Sequence, residues 1–160
     1  MKSNSATLIS TLVISILLFI LTFLKFDSIL KALIPSGITI SVLEVGGMFK
    51  QMFFFSLMVG ITPILVYLTW RIAPIKSFFR RSTSVLIVIL SMILALVLRK
   101  EQLKLVNEPF SNFKNDEIIF SNTLAHDSLH FEYYLLSAIL ISCFLCGIIL
   151  KEKKSKEESF

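Results

Sequence analysis

The sequence predicts an all-α membrane protein, a bundle of four transmembrane helices with both termini cytoplasmic. Three observations carry this. Of 160 residues, 55% are hydrophobic and 17% charged, with mean hydropathy +0.81, against about 45–50% and 25% in soluble domains. The charges leave four uninterrupted windows, Ser3–Leu24, Gln51–Trp70, Ser82–Leu98 and Tyr133–Leu150, of 22, 20, 17 and 18 residues. Each approaches the ~20 apolar residues that cross a ~30 Å hydrocarbon core. Lys and Arg, finally, fall unequally on the two sides of these windows, which orients the spans.

The windows predict spans at about 6–25, 51–70, 82–99 and 132–150, with outer loops 26–50 and 100–131, an inner loop 71–81 and a tail 151–160. Together the windows occupy 77 residues, so residues 1–160 are expected to form one integral membrane domain. Hydrocarbon offers the backbone no partner, so continuous apolar windows mean helices. They also lack the ~10-residue alternation of barrel strands. Orientation follows from charge. Lys2, the inner loop and the tail hold nine basic and three acidic residues, whereas the outer loops hold seven basic and eight acidic. The basic side is expected to face the cytoplasm of a bacterial inner membrane.

The first window exceeds the 7–15 apolar residues of a signal peptide, and Thr22–Phe26 offers no small-residue cleavage site, so a retained span is expected. Thr7, Thr11 and Ser15, four apart, share one face of it. The second span carries Ser56-x-x-x-Gly60, then Pro63, and ends in Tyr67 and Trp70. Small residues four apart let helices approach closely in lipid. Pro63 removes one backbone donor and predicts a kink. Ser91 and Ala95 mark the third span, and Ala138, Ser142 and Cys146 the fourth. Each span thus carries a candidate packing stripe.

In the first outer loop, Pro35-Ser36-Gly37 reads as a turn and Ile38–Val42 alternates like a strand. Glu117–Phe120 offers a second strand in the other outer loop. Two expectations stand side by side: a small β element joining the outer loops, or Ile29–Ile34 and Ile38–Val45 lying along the membrane surface.

Three chemistries come into question. Cys143-Phe-Leu-Cys146 is a C-x-x-C pair in a four-helix membrane protein, and it resembles the quinone-linked disulfide-forming enzymes and the vitamin K epoxide reductase family. Those families also relay electrons through loop cysteines, which this chain lacks. The alternative is two small, soft residues on a packed face. His126 and His130, four apart and followed by Glu132, would share a face and could hold zinc if the fourth helix begins by Asp127. The alternative there is an ordinary helix start capped by Asp127 or Ser128. A carrier with its own ion site would place charged or imidazole side chains at mid-membrane, and all four windows lack Asp, Glu, Lys, Arg and His. The chain is therefore expected to be no enzyme, with no cofactor and no resident metal.

The net charge of +5 sits in residues flanking spans, where it meets anionic lipid, so no direct nucleic-acid partner is expected. Arg71, Lys76, Arg80, Arg81, Lys151, Lys153, Lys154 and Lys156 form the candidate surface for an acidic protein or for anionic lipid. In overall plan, with both ends inside, a basic loop Arg71–Arg81 and a polar outer loop Arg99–Glu132, the chain resembles two groups from bacterial conflict systems. One is the membrane subunit of phage-defence pairs such as Kiwa, the other the immunity proteins of pore-forming colicins. The resemblance is one of topology and transfers no residue. It implies a non-catalytic subunit that self-associates and anchors a cytoplasmic partner at the inner membrane. The alternative it implies is an immunity protein that neutralises a pore-forming bacteriocin within the bilayer. A small channel or transport subunit comes third. Expected partners are membrane lipids, a second copy of the chain, and a cytoplasmic protein.

Overall fold

Apolar stretches with no water beside them must close their backbone hydrogen bonds within the segment, and this chain does so in four helices. The computed structural model describes residues 2–35, 39–41, 45–111, 123–125 and 129–150. Helix α1 spans Lys2–Leu33, α2 Val45–Ile72, α3 Phe78–Ser111 and α4 Phe131–Ile149. All four are long and apolar enough to cross a membrane, which makes the protein a multi-pass, four-helix membrane bundle. Both outer connections predicted from charge, 26–50 and 100–131, are partly helix. At 1.5 Å per residue, α1 and α3 run to about 48 and 51 Å, whereas α4 runs to about 28 Å. A ~30 Å hydrocarbon core therefore leaves the ends of α1 and α3 in the aqueous zone. The segment Ile29–Leu33, one candidate for a surface-lying strip, continues α1 instead.

The helices pack in the order α1–α2–α4–α3, with α1 and α3 meeting only slightly. Helix α2 is central, and its span is the most buried of the four. Its crossing with α1 is close at Gly60, where a Cβ would stand 2.9 Å from Phe19 Cβ and 3.2 Å from Ser15 O. Nothing larger than hydrogen fits there without moving α1. Phe19 meets Phe53 and Phe23 meets Phe49 edge-on across the same seam.

The largest buried apolar cluster lies at the loop end. Phe26 and Leu30 of α1, Phe55 of α2, Leu103 of α3, Leu129, and Phe131 and Leu135 of α4 are buried together. Lys100 Nζ donates to Ala32 O (2.9 Å), tying α3 to the carbonyl-rich end of α1. Arg99 Nε donates to Leu129 O (2.9 Å), the Arg99 guanidinium lies 5.1 Å from the Tyr134 ring centre, and Tyr134 Oη donates to Gln102 (2.6 Å). These contacts fix where α4 begins.

Two three-residue strands, β1 (Thr39–Ser41) and β2 (Thr123–Ala125), pair in parallel, with Thr39 opposite Thr123 and Ser41 opposite Ala125. The β element expected between the outer loops is present. Its second strand lies at Thr123–Ala125, and Glu117–Phe120 falls outside the described residues.

Candidate functional site

The packing order leaves a groove. Because α1 and α3 meet only slightly, the space between them above α2 opens as an apolar groove of about 480 Å³. Thr11, Ile14 and Leu18 form one wall, Val85, Ile89, Met92 and Ile93 the other, and Val59, Thr62, Pro63 and Val66 the floor. Pro63 has no N–H to offer Val59 O, a property of its ring, and both residues line the floor. The polar groups here are satisfied locally. Thr11 Oγ1 donates to Thr7 O (2.8 Å) and Thr62 Oγ1 to Met58 O (2.9 Å). The groove body therefore presents hydrocarbon.

Trp70 ends the groove at the side of the 71–81 connection. Its indole N–H donates to Ser84 Oγ (2.7 Å), and Ser84 Oγ donates to Arg81 O (2.7 Å). The Arg81 guanidinium lies 5.5 Å from the centre of the Trp70 ring, a cation–π contact. Arg81 Nε donates to Ile75 O (2.8 Å). On the far side of Ser84, the Cys146 thiol approaches Ser84 O (3.9 Å). One small buried serine thus joins α2, α3 and α4.

The connection itself is tightly built. Pro74 cannot continue α2, and Ala73 N–H and Ile75 N–H donate back to Thr69 O and Trp70 O (2.9 and 3.1 Å). Ile75 is fully buried. Arg71 and Lys76 stay exposed and Arg80 half-buried. Arg80 Nη1 reaches Leu150 O (3.4 Å), which brings the basic connection beside the start of the tail. Lys151, Lys153, Lys154 and Lys156 fall outside the described residues. Within the candidate basic surface Arg81 stands apart, because ring stacking and the Ile75 carbonyl hold it in place.

The other sequence candidates fall as follows. Ser15, Ser56 and Gly60 are buried at or near the α1–α2 seam, and Thr11 and Pro63 line the groove. Ser91 and Ala95 face Ala138 and Ser142 across a second, shallower groove of about 450 Å³ between α3 and α4, where Ser137 also lies. Cys143 and Cys146 are free thiols, with Cys146 buried. His126 lies outside the described residues. His130 precedes α4 in a left-handed conformation (φ 50°) as its N-cap, so the described helix begins at Phe131 and not by Asp127; Asp127 and Ser128 also lie outside the described residues. His130 Nδ1 lies 3.8 Å from Glu132 Oε1, and Glu132 Oε2 is buried without a partner among the described residues. Among those residues no three His, Cys, Asp or Glu side chains gather as metal ligands.

Sequence reasoning noted Trp70 only as a span end and missed Ser84, Arg99, Gln102 and Tyr134. No pattern joins these residues, because each contact links α3 to a segment distant in sequence: Ser84 to Trp70 of α2, Arg99 to Leu129, and Gln102 to Tyr134 of α4. No family model, no curated protein and no solved structure matches this chain, so its function is argued from this geometry.

Proposed function

We propose that the protein is a non-catalytic membrane subunit that self-associates and holds an acidic cytoplasmic protein beneath a bacterial inner membrane, in the manner of the membrane subunits of antiphage defence pairs. The observation that carries the docking reading is the basic end. Exposed Arg71, in the last turn of α2, and exposed Lys76 flank a turn braced by backbone bonds, and Arg80 reaches Leu150 O at the end of α4. Arg71, Lys76 and Arg80 thereby share one end of the bundle with the end of α4, and complementary charge on a partner would steer its approach. Self-association is supported by the groove between α3 and α4, whose small residues Ser91, Ala95, Ser137 and Ala138 admit close approach of a neighbouring helix. The non-catalytic reading is supported by four windows that hold no Asp, Glu, Lys, Arg or His.

The test is purification in mild detergent at native expression, with mass and co-purifying proteins measured together. A homo-oligomer carrying a stoichiometric acidic soluble protein is expected. The triple variant Arg71→Gln, Lys76→Gln, Arg80→Gln should then lower partner affinity about tenfold, at roughly 0.5 kcal/mol for each exposed ion pair, without changing insertion. A partner-free monomer that by itself protects cells from a pore-forming bacteriocin would replace this reading with the immunity one.

A further inference from the structure

The groove between α1 and α3 has a shape, a polarity and one charged end, and together these narrow its occupant. Its volume of about 480 Å³ lies within the roughly 300–1,000 Å³ of small-molecule sites. From Val59 to Trp70 its floor follows α2 for about 17 Å at 1.5 Å per residue. An unbranched hydrocarbon chain needs no hydrogen bond, and the Thr11 and Thr62 hydroxyls are committed to backbone carbonyls.

The basic end sets the head group. Trp70 closes the groove beneath the Arg81 guanidinium, Arg71 follows Trp70 directly, and Arg80 precedes Arg81. No Asp or Glu occurs anywhere between Glu44 and Glu101, so no carboxylate on α2, on α3 up to Arg99 or in their connection opposes these cations. Arg81 is held in place without a carboxylate partner among the described residues: Nε is bonded to the neutral Ile75 carbonyl and the face rests on an aromatic ring. A phosphate is the anion that the end of a membrane-embedded hydrocarbon chain supplies at this depth.

We propose that this groove is a binding site for one anionic phospholipid, its acyl chain lying along Val59–Val66 between α1 and α3 and its phosphate at Arg81 beside Trp70. The head-group contact of this site is Arg81, whereas the partner surface rests on its neighbours Arg71, Lys76 and Arg80.

Trp70 is the protein's single tryptophan, so its fluorescence reports on the groove directly. The full-length protein would be reconstituted in phosphatidylcholine vesicles with one tenth of the lipid brominated on its acyl chains, either as phosphatidylglycerol or as phosphatidylcholine. At a site with one engaged basic residue, the phosphatidylglycerol should be enriched about fivefold, giving correspondingly stronger quenching. Ile89→Phe, a change at an exposed wall residue, should abolish the excess quenching by filling the groove. Leu140→Phe, on the exposed face of α4, should leave it intact. Arg81→Gln should remove the preference and Arg81→Lys should retain it. Equal quenching by the two lipids would overturn the proposal, since bulk lipid would then fill the groove. Excess quenching that survives Ile89→Phe would place the lipid elsewhere and overturn it as well. Protection of Trp70 from both quenchers in a preparation of dimeric mass would assign the groove to a second copy.

Discussion

At the loop end, side chains from all four helices and Leu129, two residues before α4, are buried together, with Phe131, Leu129 and Leu135 reduced to at most 1% exposure. At the basic end, α2, α3 and α4 meet through hydroxyl, indole and thiol contacts around Ser84, and the space between α1 and α3 stays open. The difference follows from the solvent. Inside hydrocarbon an apolar side chain gains little by leaving lipid for protein, so helices associate only where small residues or polar bonds bring them close. At the loop end Lys25, Asp27, Lys31, Arg99 and Lys100 stand on the same helices as the buried cluster, so that end is the one where water can add apolar burial to the forces that pack the helices. The bundle is closed at its charged loop end and open along the apolar middle of α1 and α3.

Removing volume from the loop end should have the largest effect. Phe131→Ala is expected to cost about 3 kcal/mol by leaving a cavity, read as a loss of unfolding free energy in detergent titration. Arg99→Gln should cost about 1.5 kcal/mol, because Leu129 O loses a charge-assisted donor and Tyr134 its cation. Trp70→Phe, which removes the bond to Ser84 but keeps an aromatic ring, should cost about 1 kcal/mol. That ranking sharpens the contrast between the ends. If Trp70→Phe proved more damaging than Phe131→Ala, the basic end would be the principal clamp and the contrast would be reversed.

The contrast also marks what could be read in advance. Charge-free windows located the helices because an Asp, Glu, Lys or Arg at mid-membrane is costly. They did not locate the helix ends, because a charge forbids hydrocarbon and not helix. Lys25, Asp27 and Lys31 lie within α1, and Arg99, Lys100 and Lys104 within α3. Gly60 was recognisable as a close-approach residue, and the structure places it against Phe19. The groove was not recognisable, since a residue facing lipid and one facing an apolar groove obey the same preference. Ile89 and Ile93 look the same in sequence as Leu90 and Leu94, and only the first pair lines the groove. Arg81 was legible as a charge beside a span, whereas its stacking on Trp70 depends on a turn whose shape the residue types alone do not specify.

The three-residue parallel pair has a consequence for biogenesis. β1 emerges from synthesis between α1 and α2, but its partner β2 comes only after α3, more than eighty residues later. A parallel pair cannot be made by a hairpin turn, so these strands stay apart until both α2 and α3 have been threaded through the bilayer. Their pairing thus reports that α2 and α3 are both in place, before α4 follows, and a chain stalled or inverted at α2 or α3 would leave Thr39–Ser41 an unmatched edge, open to quality-control proteases or to another chain.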